Sequence, residues 1–327
     1  MKHRFFILLA PILALALVAG CGGINTYNPS VIGGASRLIF AGHGYSDDVD
    51  VINLESMTIL ATITGAGGYR MVLSTDGRTL YSTGGGGLIS VSNAETFTLT
   101  SSIDPTVAFP SIAADELEAI AINPAGTRVY VFDEQGDTAL FVIDTATNTV
   151  LSAVSLALDE PENAIVSPDG AFVYVVDNSV IAKISTTSLA IVATVPVGSD
   201  AHGIALNSAG TQVYAKGDDG IDAFDAVTLA FVTNIVCGSD GYYIDNRPGS
   251  SRLYAVNEGS TLSVINSATN TLVSDVTLSL SSARGVFAAP GGSPVVVATS
   301  GGLVQVDASS LAELSTLSGS YQSILIK

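Results

Sequence analysis

The sequence predicts an all-β chain made of one small unit repeated seven times, and two observations lead to that prediction. Residues 123–156 contain three apolar runs of strand length, separated by turns rich in Gly, Asn and Asp. Runs this short are typical of strands, so the stretch is predicted to form an antiparallel meander. Six further copies of the pattern follow one another along the chain. Because a unit this small cannot bury its own apolar face, the copies are expected to stack together.

Each copy contains an anchor residue in the strand that follows a polar turn. Pro presets one dihedral of such a turn and Gly accepts a positive one, as in the segments 123–126 (NPAG) and 167–170 (SPDG). The anchors are predicted to be Ile39, Tyr81, Tyr130, Tyr174, Tyr214, Tyr254 and Val296. A short polar residue at the next turn is expected to cap it through its own oxygen. These residues are Asn53, Ser92, Asp144, Ser185, Asp225, Asn266 and Asp307.

Units such as PAGTRVYVFDEQGDTALFVIDTATNTVLSAVSL and PGSSRLYAVNEGSTLSVINSATNTLVSDVTL resemble the YVTN family of β-propeller repeats. The resemblance extends from Ser36 to Lys327 and implies a seven-bladed β-propeller with four-stranded antiparallel blades. Similar propellers include surface-layer proteins, single-stranded DNA binders, lactonase-like enzymes and redox-enzyme subunits. The resemblance therefore predicts the fold and leaves the function open. The chain has no Trp, so the Trp-Asp dipeptide of WD40 blades is absent.

The two ends of the repeat region are predicted to complete one blade together. The first unit begins at its anchor strand and lacks the strand that precedes the anchor in every later unit. The last segment, 319–326, lines up with residues 67–74 and can supply it. The C-terminal strand is therefore expected to be the innermost strand of the first blade, with Ile324 alongside Ile39. Such a clasp removes the open edge between the first and last blades.

The N-terminal 35 residues are predicted to be an export signal followed by a flexible tether. A basic start (Met1–Arg4) and an apolar run of about fifteen residues, shorter than a bilayer span, predict a signal peptide over residues 1–20. The sequence Val18-Ala19-Gly20-Cys21 resembles the lipobox of bacterial lipoproteins, which implies fatty acylation (palmitate) of Cys21 and anchoring in a membrane. The alternative is an ordinary signal peptide with an incidental cysteine. Residues 21–35 would then form the lipidated cysteine and its tether, residues 36–327 the propeller, and the outer membrane or cell surface the expected location.

The mouth of the central channel is the predicted binding site. Equivalent positions at the start of the innermost strands carry rings, carboxylates, an imidazole and a guanidinium, a mixture suited to a small polar ligand. The candidate residues are Tyr69, Arg70, Glu118, Glu162, His202, Tyr242, Arg284 and Tyr321, with Asn163, Tyr243 and Gln322 one step along. The alternative is that these residues are polar only because the ends of loops are exposed to solvent. A second region of interest is the long connection 101–117, interpreted either as a flap or as a tolerated insertion.

Motifs for catalysis and for cofactors are largely missing. The sequence contains no Gly-x-Ser-x-Gly elbow, His-Glu-x-x-His or Cys-x-x-Cys. We expect no cofactor; acidic groups at 47–50, 133–137 and 218–222 match a calcium loop only loosely and lack the EF-hand pattern. Cys237 is expected to be a small buried residue without a disulfide partner. The net charge of −18 opposes a phosphate backbone, so nucleic acid is not an expected partner.

The sequence therefore predicts a lipid-anchored, extracytoplasmic β-propeller that binds a small polar ligand or a protein and acts as a scaffold rather than as an enzyme. Two alternatives stay open. One is a lactonase-like hydrolase or an accessory subunit of a periplasmic redox enzyme, with His202, Glu162 and Arg284 as candidate residues. An enzyme should bring His202 and a carboxylate within about 3 Å of a shared point in a pocket. The other is a surface-layer-like structural protein, which should expose a broad apolar patch on a blade face.

Overall fold

A computed structural model describes residues 37–327, except 45, 85, 135–137, 199, 239–240, 247–248, 258 and 290–291. The described chain forms seven four-stranded antiparallel sheets, which are the seven predicted blades. The predicted signal peptide, Cys21 and the tether lie outside the described residues. In the described part, no helix has the length and apolar character needed to cross a membrane.

The blades follow one another in chain order, except that the last strand belongs to the first blade. From the innermost strand outward, they are built as follows: blade 1, β28 (Ser323–Ile326), β1 (Leu38–Gly42), β2 (Val49–Asn53), β3 (Thr58–Ile63); blade 2, β4 (Met71–Leu73), β5 (Thr79–Thr83), β6 (Ile89–Asn93), β7 (Thr98–Ile103); blade 3, β8 (Leu117–Ile122), β9 (Arg128–Asp133), β10 (Ala139–Asp144), β11 (Thr149–Ser155); blade 4, β12 (Pro161–Val166), β13 (Phe172–Asp177), β14 (Val180–Ser185), β15 (Ile191–Pro196); blade 5, β16 (Gly203–Leu206), β17 (Gln212–Gly217), β18 (Gly220–Asp225), β19 (Phe231–Ile235); blade 6, β20 (Gly241–Asn246), β21 (Arg252–Asn257), β22 (Thr261–Asn266), β23 (Thr271–Thr277); blade 7, β24 (Ala283–Ala288), β25 (Val295–Thr299), β26 (Gly302–Val306), β27 (Glu313–Ser318).

The innermost strands form a closed ring. Each of them contacts the innermost strand of both neighbouring blades, including β28 with β24 on one side and with β4 on the other. The apolar core is divided in the same way, because seven buried clusters each fill the gap between two adjacent blades. Stacking of neighbouring blades therefore buries what a single meander cannot. Cys237 is buried in one of these gaps, as predicted, and forms no disulfide within the part of the chain that the structure describes.

The C-terminal strand closes blade 1, although its register differs from the predicted one. β28 pairs antiparallel with β1, but Ile324 faces Ala41, and Ile39 faces Ile326. Equivalent pairings across the blades also place Phe40, rather than Ile39, at the anchor position of blade 1. The loop between the second and third strands varies in length from blade to blade, so sequence alignment slips easily here. Each of the two strands is shifted by one residue from its predicted alignment, and a one-residue shift moves side chains to the opposite face. Ile39 and Ile324 therefore pack between blades 7 and 1, and Phe40 takes the anchor place between blades 1 and 2.

A recurring turn joins the third and fourth strands of the blades. The side-chain oxygen of an Asn, Asp or Ser accepts hydrogen bonds from backbone N–H groups two or three residues later, and the residue four positions on has a positive φ. In blade 2 the acceptor is Asn93 rather than the predicted Ser92. The other six predicted turn residues occupy this position.

Anchor tyrosines tie each blade to the turn of the next one. The Tyr81 hydroxyl donates to Asn148 Oδ1 at 2.7 Å, and the Tyr214 hydroxyl lies 2.8 Å from Asn270 Oδ1. Tyr174 donates to the carbonyl of Ala226. Tyr254 is the exception, because its buried hydroxyl has no hydrogen-bond partner among the described residues. The repeated aromatic anchor therefore supplies both core packing and, in most blades, a polar contact with the neighbour.

Because the Tyr214 hydroxyl is hydrogen-bonded and the Tyr254 hydroxyl has no partner in the described chain, replacing each tyrosine with phenylalanine should have opposite effects on stability. We expect Tyr214→Phe to lower the free energy of unfolding by about 1 kcal/mol, because it removes a hydrogen bond between blades. Tyr254→Phe should be neutral or stabilising, since the hydroxyl that it removes is buried and unsatisfied. Urea unfolding of both variants checks the pair; equal losses would contradict the assigned contacts.

The long connection between blades 2 and 3 is partly ordered against the core. It contains a one-turn helix, α1 (Pro105–Ala108), capped by the side chain of Asp104. Ile112 and Ala114 pack on the apolar cluster between these blades, whereas Val107 is 80 % exposed. The second half of the insertion is thus packed against the core.

Candidate functional site

The face at which the innermost strands begin carries the predicted site, and β-bulges shape it. The ladder between first and second strands is interrupted in blades 3, 4, 6 and 7. The residues left out of register include Glu118, Glu162, Tyr242 and Arg284, all of them predicted site residues. A bulge bends its strand and re-aims a side chain, and bulges are enriched next to functional sites. The sequence identified these positions, but it did not indicate the β-bulges that change the direction of their side chains.

Arg70 lies at the centre of the mouth. Its Nη2 is 3.4 Å from Glu118 Oε1 and 3.9 Å from Glu162 Oε2, and its Nε donates to the Glu162 carbonyl at 3.3 Å. Its guanidinium carbon is 5.5 Å from the centroid of the Tyr243 ring in blade 6. Blades 2 and 6 are not neighbours, so the guanidinium must lie in the channel between them. With 6 % exposure, Arg70 is buried at this level of the channel.

The two carboxyl groups beside Arg70 differ in protonation. Burial is the main cause that raises the pKa of Glu118, and the Glu134 and Glu162 carboxylates add to the effect. The Glu162 pKa is lowered, because hydrogen bonding and the charge of His202 outweigh its own burial. The geometry therefore favours a neutral Glu118 beside an ionised Glu162, a common result when carboxyls share a site. We refer to Arg70, Glu118, Glu162 and His202 as the mouth cluster.

His202 provides the exposed side of the mouth cluster. Its Nδ1 is 2.9 Å from Glu162 Oε1, and its ring stacks on Tyr242 with centroids 5.3 Å apart. The hydrogen bond with Glu162 raises the pKa of His202 against the effect of burial. The His202 side chain is 25 % exposed and that of Glu162 15 %, compared with 4 % for Glu118. A ligand would therefore meet the imidazole and the Glu162 carboxylate first.

Backbone contacts fix these side chains in place. Thr83 Oγ1 donates to the Glu118 carbonyl at 3.0 Å and lies 3.3 Å from the Arg70 backbone nitrogen, so it links blades 2 and 3. The Asp177 carboxylate accepts from the backbone N–H groups of residues 159 and 160, just before Glu162. Asp133 accepts from the backbone N–H of residue 116 in the same way. The mouth is thus supported by the second strands of its blades.

Tyrosines surround the cluster. The Arg70 guanidinium carbon lies 5.7 Å from the centroid of the Tyr69 ring, and burial, followed by Glu118, raises the pKa of Tyr69 to about 12. Burial likewise raises the pKa of Tyr243. Both phenols are therefore hydrogen-bond donors at neutral pH. The structure brings together six of the eight predicted residues here: Tyr69, Arg70, Glu118, Glu162, His202 and Tyr242.

The other two predicted residues, Arg284 and Tyr321, lie elsewhere on the same face, at the junction of blades 7 and 1. Arg284 donates to Gln322 Oε1 at 3.0 Å. The Tyr321 hydroxyl donates to Asp50 Oδ2 at 3.1 Å, and the same oxygen is 2.9 Å from His43 Nε2. Sequence reasoning missed Asp50 and His43 as members of this group. The sequence signal that could have pointed to this group is that Arg284 and Gln322 occupy equivalent positions at the start of inner strands.

A further acidic residue lies deeper along the inner strands. Asp245 of β20 accepts a hydrogen bond from the backbone N–H of Ala288 in blade 7, at 2.9 Å. Burial raises the pKa of Asp245 to about 7. A carboxyl whose folded-state pKa exceeds its unfolded value of about 3.9 favours folding less and less as the pH rises between the two values.

Asp245→Asn is accordingly expected to be stabilising at alkaline pH. The amide oxygen can still accept from Ala288, and the cost of a buried charge disappears. We expect the free energy of unfolding to rise by about 1–2 kcal/mol at pH 8, with most of the gain lost by pH 4, where Asp245 is protonated in the folded state and about half protonated in the unfolded state. Partial access to solvent keeps this below the full linkage value. Melting curves from pH 4 to 8 test it; a pH-independent difference would argue against the assignment.

The acidic groups considered for calcium serve as hydrogen-bond acceptors for neighbouring loops. Asp48 Oδ1 accepts from the backbone of Gly65, and Asp222 accepts from Gly198 and Asn234. Within the described residues, no group of three or more His, Cys, Asp or Glu side chains is arranged to hold a metal ion. Residue 137, one of the predicted acids, lies outside the described residues.

Exposed apolar side chains occur on the outermost strands and, singly, in connections, as at Leu88, Val107, Val227 and Val236. Those on the outermost strands form the larger set. They are spread around the ring, with Ile59, Leu99, Leu151, Val192, Phe231, Val273 and Leu314 each on the fourth strand of a different blade. The largest exposed fraction in this set is the 59 % of Phe231. This distribution differs from the broad patch on one face that a surface-layer-like protein should show.

Comparisons with known proteins bear on the fold alone. No protein-family model matches the chain, and no curated protein matches it either. Among solved structures, hydrazine synthase of Kuenenia stuttgartiensis is similar with a TM-score of 0.64 and 17 % identity, over 74 % of this chain and 77 % of that one. The dihydro-heme d1 dehydrogenase NirN in complex with DHE is similar with a TM-score of 0.65 and 14 % identity, over 92 % and 81 %. At these identities the likeness extends to the β-propeller architecture.

Proposed function

We propose that this chain is a lipid-anchored, extracytoplasmic binding module whose small polar ligand sits on the mouth cluster. The observation that carries the proposal is the convergence of side chains from blades 2 to 6 on one buried guanidinium. Buried ion clusters are weak sources of stability, and strongly shifted pKa values are concentrated at functional sites. The cluster is therefore better explained by binding than by folding.

The exposed side of the cluster indicates what kind of ligand it suits. His202 and the phenols offer hydrogen-bond donors, Glu162 offers an acceptor, and Tyr242 contributes a ring that stacks with His202. Such a combination of aromatic faces with donors and acceptors fits an uncharged or mildly charged polyhydroxylated molecule. Arg70 and Glu118 form the floor on which this ligand would rest.

A thermal-shift screen of sugars, lactones and metal ions on the chain from Gly22 onward tests the proposal. A binding compound should raise the melting temperature of the wild type, and His202→Ala and Tyr242→Ala should each remove the shift. Phe231→Ala, a change in an exposed ring on an outer strand, is the matched control and should keep it. A shift that survives both mouth substitutions would place the ligand elsewhere. No shift with any compound would favour a protein partner instead.

The anchor and location rest on the N-terminal sequence. The basic start, the apolar run and Cys21 support export and lipidation, with the outer membrane or cell surface as the expected location. Membrane fractionation should find the wild-type chain in the membrane and Cys21→Ser released from it. A Cys21→Ser chain that stays in the membrane would argue against the lipid anchor.

A second candidate function is favoured by one distance. His202 Nδ1 and Glu162 Oε1 are 2.9 Å apart, so an imidazole and a carboxylate lie side by side, which supports a lactonase-like hydrolase. Lactone turnover that His202→Ala abolishes would establish this alternative, and binding without turnover would exclude it. An accessory role in a redox enzyme is supported only by the names of the two similar structures. The surface-layer-like alternative has no specific observation in its favour.

A further inference from the structure

A separate cleft opens where the first and last blades meet. It has a volume of about 160 Å³ and is lined by His43, Gly44, Ser46, Arg284, Ser320 and Gln322. A single water molecule needs about 10–15 Å³ of such space, so a ligand of several non-hydrogen atoms fits. We call it the seam cleft. It shares no residue with the mouth cluster.

Arg284 is an unpaired guanidinium in this cleft. Arg37, Arg70, Arg78 and Arg128 each form an ion pair with a carboxylate. Arg284 instead donates from Nη1 to the neutral amide of Gln322, and no carboxylate lies within 4.0 Å of it among the described residues. Arg252 also has no ion pair among the described residues, but it donates to the Ala308 carbonyl at 3.1 Å, whereas Arg284 lines a cleft. The remaining N–H groups of Arg284 are donors without an anionic acceptor.

His43 faces the same cleft in a fixed orientation. Its Nε2 is held at 2.9 Å by Asp50 Oδ2, and its ring packs against Tyr321 with centroids 4.8 Å apart. Asp50 is itself buried, and its other oxygen accepts from Thr62 Oγ1 at 2.7 Å. The carboxylate is therefore engaged behind the ring, while the other ring nitrogen, Nδ1, has no partner among the described residues.

The lining is therefore rich in hydrogen-bond donors and contains no carboxylate. It offers one guanidinium, one imidazole and the hydroxyls of Ser46 and Ser320. Charge-assisted hydrogen bonds from a guanidinium to an oxyanion are about twice as strong as neutral ones. We propose that the seam cleft is a binding site for a small oxyanion, the carboxylate or phosphate group of a ligand, with Arg284 as its main contact.

Closure of the ring builds this site. Ser320 and Gln322 come from the C-terminal segment, and the Gln322 backbone N–H donates to the Gly42 carbonyl at 2.8 Å. Ser323 Oγ donates to the Gly68 carbonyl at 2.7 Å and holds the start of β28. A bound anion would contact both ends of the propeller and should raise its melting temperature.

Titration with sodium phosphate and sodium succinate, each at ionic strength matched with sodium chloride, tests the site. Calorimetry and the amide NMR shifts of Gly44, Ser46 and Gln322 are the readouts, on the chain from Gly22 onward. We expect saturable binding of at least one anion, with the Gly44 and Gln322 signals moving. Binding of phosphate alone would indicate a phosphorylated ligand, and binding of succinate alone a carboxylate ligand; either supports the site.

Three variants decide the assignment. Arg284→Gln should weaken binding at least tenfold. Gln322→Glu keeps the side-chain shape and places a carboxylate beside Arg284, so it should weaken binding similarly even if Arg284→Gln does not fold. Arg78→Gln, an exposed arginine at the opposite end of the strands, removes the same charge and should bind as the wild type does. No saturable binding by the wild type, or unchanged affinity in Gln322→Glu, would overturn the proposal. Either result leaves the mouth cluster untouched.

Discussion

Removing residues 320–327 is expected to lower the melting temperature by about 10 °C or more, or to prevent folding. The deleted segment contains Tyr321, Ile324 and Ile326, which are 2 %, 6 % and 4 % exposed. Burial of each large apolar side chain contributes about 1.5–3 kcal/mol, and whole domains are stable by only about 5–15 kcal/mol. The deletion also leaves the inner edge of β1 unpaired. Differential scanning calorimetry of the truncated chain measures the effect.

The control for this truncation is a variant that removes an apolar side chain away from the junction of blades 7 and 1. Leu314→Ala removes a side chain that is 56 % exposed on the outer strand of blade 7. It should change the free energy of unfolding by about 0.5 kcal/mol or less. If the truncated chain melts like the wild type, β28 does not close the ring.

Arg70→Ala is expected to lower the free energy of unfolding by about 3–5 kcal/mol. The substitution leaves the Glu162 carboxylate and the Glu118 carboxyl buried without their cation, and removing one partner of a buried ion pair typically costs this much. The loss should shrink on acidification, because protonation of Glu162 removes the uncompensated charge. Urea unfolding of the wild type and of Arg70→Ala at pH 5 and pH 8 measures this loss at each pH.

Two further variants separate charge from packing at Arg70. A triple variant, Arg70→Met with Glu118→Gln and Glu162→Gln, should recover most of the stability, since no buried charge is left unpaired. Arg78→Ala breaks an exposed ion pair and should cost about 1 kcal/mol or less. A triple variant as unstable as Arg70→Ala would mean that Arg70 acts through its shape. Ligand binding at the mouth should be lost in the triple variant even where stability returns.

The architecture was predictable from sequence because its signals are local and repeated. Turn residues such as those at 123–126 and the aromatic anchors recur in register with the blades, so the number of blades and the terminal clasp follow from counting. Register was less predictable. Loop length between strands varies, and only the pairing of Leu38 with Asn53 identifies Phe40 as the anchor of blade 1.

The candidate site was predictable as a set of positions but not as an arrangement. Counting to the start of each inner strand finds Glu118, Glu162 and His202. It does not reveal the bulges that turn them, since a bulge depends on pairing with the second strand. Nor does it show that Arg70 reaches across the channel, while Arg284 faces a different cleft. Both facts depend on side-chain direction in the closed ring, which a linear pattern does not encode.

The closed ring and the seam cleft require that β28 completes blade 1 in the observed register. Paired cysteines at Ala41 and Ile324, in a chain with Cys21 and Cys237 replaced by Ser, test this most directly. These residues face each other across the two strands, so oxidation should form an intramolecular disulfide. The pair Ile39 and Ile324 is displaced by two residues and should stay reduced. A disulfide in the second pair would contradict the observed register, and no disulfide in the first pair would contradict the closed ring.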